Sequence, residues 1–215
     1  MLIEIMQKKH IITLSGKPGS GKSSTSDKVA EMLGYARYSS GEFVRKVIKK
    51  RHMTLAEFNK VAASNHELDD EIDEELRKLR DQNDIVIDSR LGFYWIPESF
   101  KVYLDLDMEV ATARIYKDAI TNESRADGAG LAGSIADVQR QVQSRLNNET
   151  RRFKSMYGVD PYKNSNFDLV INTARHSPQT VALTGFDNYK KWLHSEEWRP
   201  VHSEVPMGYS FDNQY

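Results

Sequence analysis

A glycine-rich segment near the start of the chain has the residue types and spacing of a phosphate-binding loop. It follows the pattern G-x-x-x-x-G-K-[ST] and consists of Gly16, Lys17, Pro18, Gly19, Ser20, Gly21, Lys22 and Ser23. Its glycines allow successive backbone N–H groups to point at one anion, because no Cβ interferes. Lys22 can then reach the β- and γ-phosphates of a nucleotide, and the Ser23 hydroxyl can bind magnesium. The segment predicts a site for a purine nucleoside triphosphate with Mg2+.

The segments on either side supply the strand and the helix that such a loop requires. Residues 10–14 form a short β-branched run that is typical of a buried strand. Residues 24–33 place Val29, Ala30 and Leu33 at helical spacing. This context disfavours a chance match in a glycine-rich turn, and the predicted nucleotide-binding set extends from the loop to Ser24.

Strand and helix patterns alternate along the rest of the chain. Strands are predicted at about 10–14, 35–38, 84–88, 102–104 and 169–171. Helices between five strands imply a parallel sheet covered on both faces, which is an α/β fold with three α/β/α layers. Ligands of such sheets bind at the carboxyl ends of the strands.

Two segments depart from this alternation. Residues about 119–134 are rich in Gly, Ser and Asn and are predicted to form a mobile lid. Residues 194–215 are predicted to be a C-terminal tail that follows a single domain of residues 1–193. The tail contains the aromatic residues Trp198, Tyr209, Phe211 and Tyr215. These residues are too many for a purely solvated segment, so the tail is expected to pack on the domain or on a second subunit.

Length and composition restrict the class of protein. The 215 residues suffice for one α/β domain with a sizeable core, and the net charge of −1 gives no general affinity for nucleic acid or membranes. No apolar run reaches the length of a membrane span, and the absence of cysteine excludes disulfides and thiolate chemistry. A cytoplasmic monomer is expected.

Two charged residues follow the predicted third strand. Asp88 could hold magnesium through water, and Arg90 could reach a phosphate over the edge of the sheet. Alternatively, Asp88 only initiates a turn and Arg90 is an ordinary surface cation.

The long predicted helix at about 134–157 has charged residues along the border of its apolar stripe. The stripe consists of Ile135, Val138, Val142, Leu146, Phe153 and Met156. Glu149 falls within it, with Arg145 four residues before and Arg152 three residues after, so all three can converge on one site. The alternative is a Glu/Arg cluster on a solvated face. Arg114, on the preceding helix, is a further cation that either closes on phosphates or lies on the surface.

These segments together resemble the cytidylate kinase family of nucleoside monophosphate kinases, nearest its shorter archaeal type, from about residue 10 to residue 184. Residues 38–45 resemble the family's S-G-x-x-x-R segment, and residues 88–92 its acid-G-R turn, with Ser89 where glycine is usual. The long helix reproduces the spacing R-x-x-x-[DE]-x-x-R, and residues 157–173 follow the family's last segment.

The resemblance implies that the chain transfers the γ-phosphoryl of ATP to CMP or dCMP with magnesium, on helices at about 41–81 that bind the acceptor. It implies catalytic roles for Lys22, Arg114, Arg145 and Arg152. It places ATP on the phosphate loop, Ser24 and Arg114, and magnesium on Ser23 and, through water, on Asp88. The implied acceptor-binding residues are Ser40, Arg45, Asp69, Asp73, Arg90, Arg145, Glu149 and Arg152.

Base recognition is the most specific of these implications. Asp69 and Asp73 are four residues apart on one helix, and one of them is the candidate acceptor for the exocyclic amine of cytosine. The alternative is that both are solvated surface acids.

Two other functions stay open at this point. One is a kinase for another monophosphate or for a small metabolite such as shikimate, although the consecutive glycines of a shikimate-type acceptor loop are missing. The other is a non-catalytic nucleotide-binding module. The absence of N-K-x-D argues against a GTPase.

Overall fold

A computed structural model of the protein describes residues 8–62, 67–121 and 134–203. In these ranges six strands form one sheet in the order β2-β3-β1-β4-β5-β6, and each adjacent pair is parallel. The strands are β1 (Ile11–Gly16), β2 (Ala36–Ser39), β3 (Ile85–Asp88), β4 (Phe100–Asp105), β5 (Leu169–Asn172) and β6 (Val201–Ser203). The predicted α/β fold is confirmed, with six strands rather than five.

Helices cover both faces of the sheet, as predicted. The α-helices are α1 (Lys22–Leu33), α2 (Ser40–Lys50), α3 (Leu55–Ala62), α4 (Glu67–Leu79), α5 (Gly92–Trp95), α6 (Met108–Thr121), α7 (Ile135–Tyr157) and α8 (Pro178–His194). The short α5 was not predicted, because four residues are too few to show a helical period. The predicted lid falls mainly on residues 122–133, which lie outside the described residues.

The core consists of apolar layers on the two faces of the sheet. On one face, Ile12 and Leu14 of β1 pack with residues of α1 and α8. On the other face, Ile11 and the strand β3 residues Ile85 and Ile87 pack with α2, α3 and α4. Because β1 is buried on both faces, apolar residues occupy successive positions at its start, Ile11 and Ile12, instead of alternating with exposed polar ones. This packing fixes the carboxyl ends of the strands at one edge.

The sixth strand lies in the segment 194–215 that the sequence analysis treats as a tail. Val201 donates a backbone hydrogen bond of 2.9 Å to the Asp168 carbonyl, and the Trp198 indole donates one of 3.1 Å to the same oxygen. The Trp198 ring also packs edge-on against Phe100, with 5.9 Å between ring centroids. The packing predicted for Trp198 is therefore observed, whereas residues 204–215 lie outside the described ranges.

We expect Trp198→Ala to lower the free energy of unfolding by about 2 kcal/mol, because it removes a half-buried ring and a hydrogen bond. Urea denaturation measures this difference, and Arg199→Ala, which changes the exposed neighbouring side chain, is the control. The preference among monophosphates should stay as it is in the wild type. Unchanged stability of the Trp198 variant would contradict the packing role of this segment.

Candidate active site

The phosphate loop connects β1 to α1 and adopts a backbone that only glycine accommodates easily. Gly19 and Gly21 have φ angles of 76° and 85°. A Cβ on Gly16 would lie 2.5 Å from the Leu104 carbonyl oxygen, which excludes any side chain there. The loop thus wraps closely against β4 while it leads into the amino terminus of α1, where free N–H groups favour an anion.

Lys22 is folded across this loop. Its Nζ donates hydrogen bonds to the carbonyls of Gly16 at 2.8 Å and Lys17 at 3.1 Å. Burial lowers the pKa of Lys22 from 10.5 to about 7, with Arg90 and Arg145 adding to the effect while Asp88 and Glu149 oppose it. An anion in the loop would stabilise the ammonium, so the site is electrostatically suited to phosphate.

Ser23 and Asp88 meet where β3 ends beside β1. The Ser23 hydroxyl donates a 2.8 Å hydrogen bond to Asp88 Oδ2, and Asp88 is 6% exposed. A hydroxyl and one carboxylate fit Mg2+, which binds proteins through few oxygen ligands and completes its shell with water and phosphate. No cluster of three or more His, Asp or Glu in the described ranges could hold a metal by itself. The two residues predicted to hold magnesium therefore meet in the structure, and magnesium binding by them stays a prediction.

Arg37, which the sequence analysis did not select, lies behind this pair. It is 3.7 Å from Asp88 and 3.1 Å from Asp27, and it also pairs with Glu42. The only signal in the sequence is a cation within a predicted strand. Its charge balances the carboxylates at this edge of the sheet.

Glu149 is the centre of a buried charge network. It lies 2.5 Å from Arg90 and 3.0 Å from Arg145, and the Tyr162 hydroxyl donates to it. The Glu149 side chain is only 12% exposed, so the alternative of a solvated face is wrong for this residue. Glu149 thus holds the cations Arg90 and Arg145, whose charges also act on Lys22 of the phosphate loop.

Burial alone would raise the pKa of Glu149, but Arg90, Arg145 and the Tyr162 hydrogen bond lower it from 4.5 to about 2. A pKa lowered on folding stabilises the protein above pH 4.5, and this stability is lost as the pH falls towards 2.

We therefore expect Glu149→Gln to lower the free energy of unfolding at pH 7 by about 3 kcal/mol. The difference from the wild type should shrink between pH 5 and pH 2, where the wild-type carboxylate also becomes neutral. Urea denaturation as a function of pH measures this, and Glu31→Gln on the exposed side of α1 is the control. A difference that is constant with pH would contradict the ionised network.

Arg152 does not join Arg145 and Glu149, contrary to the prediction. Its Nε is 3.6 Å from Oδ2 of Asp69, and both side chains are largely buried. Seven residues separate the two arginines, which is about 10 Å along the helix, so Arg152 reaches α4 rather than the phosphate loop.

The apolar stripe predicted for this helix also differs at its start. Ile135 is 51% exposed because it lies in the first turn of α7.

The aspartates of α4 are buried rather than solvated, which rules out the surface alternative. Asp69 and Asp73 are 6% and 3% exposed. Asp73 accepts a 2.9 Å hydrogen bond from Trp95 Nε1 and another from the Tyr157 hydroxyl. Asp69 faces Arg152, so these two aspartates have different environments.

The remaining predicted residues lie around the same edge of the sheet. Arg114 donates to the carbonyls of Thr173 at 2.7 Å and Ala174 at 3.1 Å, and it lies 3.4 Å from the Gly19 carbonyl. It therefore links the phosphate loop to the segment after β5. Ser40 begins α2 with its hydroxyl 3.4 Å from the Asp88 carbonyl. Arg45, Ser23 and Ser24 are exposed, while Pro18 and Ser20 are buried in the loop.

Comparison with known proteins gives consistent matches in sequence. A family model described as the cytidylate kinase-like family matches residues 11–175. Cytidylate kinase of Halobacterium salinarum is 34% identical over 186 residues, which cover 84% of this chain and 91% of that protein. Cytidylate kinase of Methanopyrus kandleri is 33% identical over 174 residues, 78% of this chain and 86% of that protein.

One relative is named differently. A protein of Lacinutrix mariniflava, named S-adenosylmethionine-dependent nucleotide dehydratase, is 34% identical over 182 residues. The match covers 84% of this chain but 36% of that protein. The similarity therefore concerns only one part of the larger protein.

Solved structures agree on the fold. Shikimate kinase from Bacteroides thetaiotaomicron superposes with a TM-score of 0.58 at 11% identity, covering 86% of this chain and 98% of that structure. Shikimate kinase from Acinetobacter baumannii gives a TM-score of 0.58 at 14% identity, with coverage of 88% and 97%. At these identities the likeness shows a shared fold and nothing about the substrate. Among residues 8–62, 67–121 and 134–203, none of the helices has the length and hydrophobicity of a membrane span.

Proposed function

Since the chain belongs to the cytidylate kinase-like family, we propose that it transfers the γ-phosphoryl of ATP to CMP or dCMP to give CDP or dCDP. Its membership makes the chain an ATP-dependent phosphotransferase of the nucleoside monophosphate kinase type. The proposal concerns the acceptor, the magnesium ion and the residues that carry the reaction. A cytoplasmic location belongs to the same proposal.

The pairing of Asp69 with Arg152 is the observation that supports a cytosine acceptor. Cytosine presents an amine donor next to the N3 acceptor, and uracil reverses both groups. A buried carboxylate 3.6 Å from a guanidinium offers an acceptor beside a donor, which is the complement of cytosine. Opposite uracil, the same pair would set acceptor against acceptor and donor against donor, at a cost that increases with burial.

The chemistry requires mainly positioning and charge neutralisation, because the acceptor phosphate is already anionic. Lys22, Arg90 and Arg145 supply positive charge beside the phosphate loop, and Glu149 holds the two arginines. Ser23 and Asp88 are the residues that would hold magnesium. When bound with ATP, the ion neutralises charge on the phosphates.

A phosphate-transfer assay over CMP, dCMP, UMP, dUMP, AMP, GMP and shikimate, with ATP and Mg2+, tests the proposal. We expect CMP or dCMP to exceed UMP in kcat/KM by about tenfold or more, and EDTA to abolish turnover. A higher kcat/KM for another monophosphate or for shikimate would show that this compound, not CMP or dCMP, is the acceptor. If phosphate were transferred to none of them, the chain would be better explained as a non-catalytic nucleotide-binding module.

A further inference from the structure

We propose that Tyr162 is a positioning residue for Arg90, whose guanidinium it holds beside the phosphate loop through a hydrogen bond to Nε. The inference deepens the proposed function and rests on it, because it takes Arg90 to bind a phosphate of the reacting nucleotides. Tyr162 lies within the segment 157–173 that resembles the family, but the sequence analysis assigns it no role in the site.

The hydroxyl of Tyr162 joins the two charged groups of the buried network. It donates to the Glu149 carboxylate and accepts a 3.2 Å hydrogen bond from Arg90 Nε. An ionised carboxylate can only accept, so the phenolic proton must point at Glu149. The oxygen lone pairs are then left to face Arg90, and the direction of both hydrogen bonds is fixed.

This arrangement keeps the Arg90 guanidinium from hydrogen bonding fully to the Glu149 carboxylate. The Arg90 Nε atom lies 2.5 Å from Oε2 of Glu149, although its N–H donates to the Tyr162 hydroxyl, and Arg145 lies 3.0 Å from Glu149. The carboxylate therefore competes with any phosphate for the same guanidinium groups. The Tyr162 hydroxyl occupies part of the hydrogen-bonding capacity of Glu149 and also binds Nε. Without it, we expect the guanidinium to rotate so that the Nε–H donates to the carboxylate instead, and Arg90 loses its alignment for phosphate.

The position of the Tyr162 hydroxyl is itself fixed by packing. The Tyr162 ring packs against a buried aromatic cluster that includes Phe93, Tyr103 and Phe167. The Tyr162 backbone N–H also donates a 3.1 Å hydrogen bond to Asp160 Oδ1. A hydroxyl on such a fixed support can orient a neighbouring cation, since its own rotamer is locked.

The same cluster offers a matched control. Tyr103 is 1% exposed, and its ring stacks on Phe167 with 4.9 Å between centroids. Its hydroxyl has no hydrogen-bond partner among the described residues. Tyr103→Phe therefore removes a buried hydroxyl from the same cluster without removing a hydrogen bond of Glu149 or Arg90.

Steady-state kinetics of Tyr162→Phe, Tyr103→Phe, Arg90→Lys and the double variant Arg90→Lys/Tyr162→Phe test the proposal. Arg90→Lys keeps a positive charge near Glu149 but lacks the Nε that Tyr162 binds. We expect Tyr162→Phe to lower kcat/KM for the monophosphate about tenfold and Tyr103→Phe to leave it unchanged. When Arg90 is already lysine, adding Tyr162→Phe should lower kcat/KM less than twofold further.

Three results would overturn the role of Tyr162: an unchanged kcat/KM in Tyr162→Phe, an equal loss in Tyr103→Phe, or a full further loss in the Arg90→Lys background. A merely structural role would give the last result, since it does not act through Arg90. The acceptor is whichever monophosphate the wild-type protein turns over fastest. A preference for a monophosphate other than CMP or dCMP would thus overturn the proposed acceptor and leave this test intact.

Discussion

Lys22→Ala is expected to lower kcat by about a thousandfold or more while the protein stays folded. The Nζ atom lies within hydrogen-bonding distance of two carbonyls of its own loop, at 2.8 and 3.1 Å. In a loop of this pattern the lysine reaches the β- and γ-phosphates, so the variant loses a charge aimed at the transferred group. Removal of a group that stabilises developing charge commonly costs two to three orders of magnitude.

Lys191→Ala is the matched control, since it removes an exposed lysine from the last turn of α8. Turnover is measured by a coupled assay for ADP, and circular dichroism and urea denaturation report on the fold. If Lys22→Ala kept more than about a tenth of the wild-type rate, the loop would not be the catalytic ATP site.

The parts of the site that depend on local sequence could be predicted closely. The phosphate loop is one continuous segment whose glycines set the backbone, so its position between β1 and α1 follows from the residues alone. The pairing of Ser23 with Asp88 also follows, because parallel strands bring their carboxyl ends to one edge. Glu149 was found because a carboxylate in an apolar stripe needs a buried partner.

The parts that depend on the partner of each side chain could not be predicted. Helical spacing placed Arg152 on the correct side of α7, but only the tertiary structure shows that it faces Asp69 rather than Glu149. Likewise, nothing in the sequence pairs Arg37 with Asp88 or Tyr162 with Arg90. The strand Val201–Ser203 escaped prediction because three residues are too short to show a period.

The two aspartates of α4 also differ in their partners, although the sequence pattern alone does not distinguish them. Both oxygens of Asp73 accept hydrogen bonds, one from Trp95 and the other from Tyr157. Burial raises the pKa of Asp73, and these hydrogen bonds oppose that effect. Asp69 instead lies beside a cation. Asp73 therefore holds α4 against α5 and α7, whereas Asp69 is the better candidate for binding the exocyclic amine of cytosine.

We accordingly expect Asp69→Asn to lower the ratio of kcat/KM for CMP to that for UMP by about tenfold or more. The asparagine side chain keeps the size of aspartate but presents an amide whose N–H2 can face the O4 atom of uracil, so the pocket no longer rejects it. Competing turnover of CMP and UMP in one mixture, with products separated by chromatography, measures the ratio directly. Asp70→Asn, one residue along and exposed, is the control.

Asp73→Asn should behave differently. It weakens the hydrogen bonds from Trp95 and Tyr157, and we expect the free energy of unfolding to fall by about 1 to 3 kcal/mol with little change in the CMP-to-UMP ratio. A lower ratio in Asp73→Asn and an unchanged one in Asp69→Asn would transfer base recognition to Asp73. If neither variant changed the ratio, the base would be recognised by other residues, and the choice of CMP would rest on the family alone.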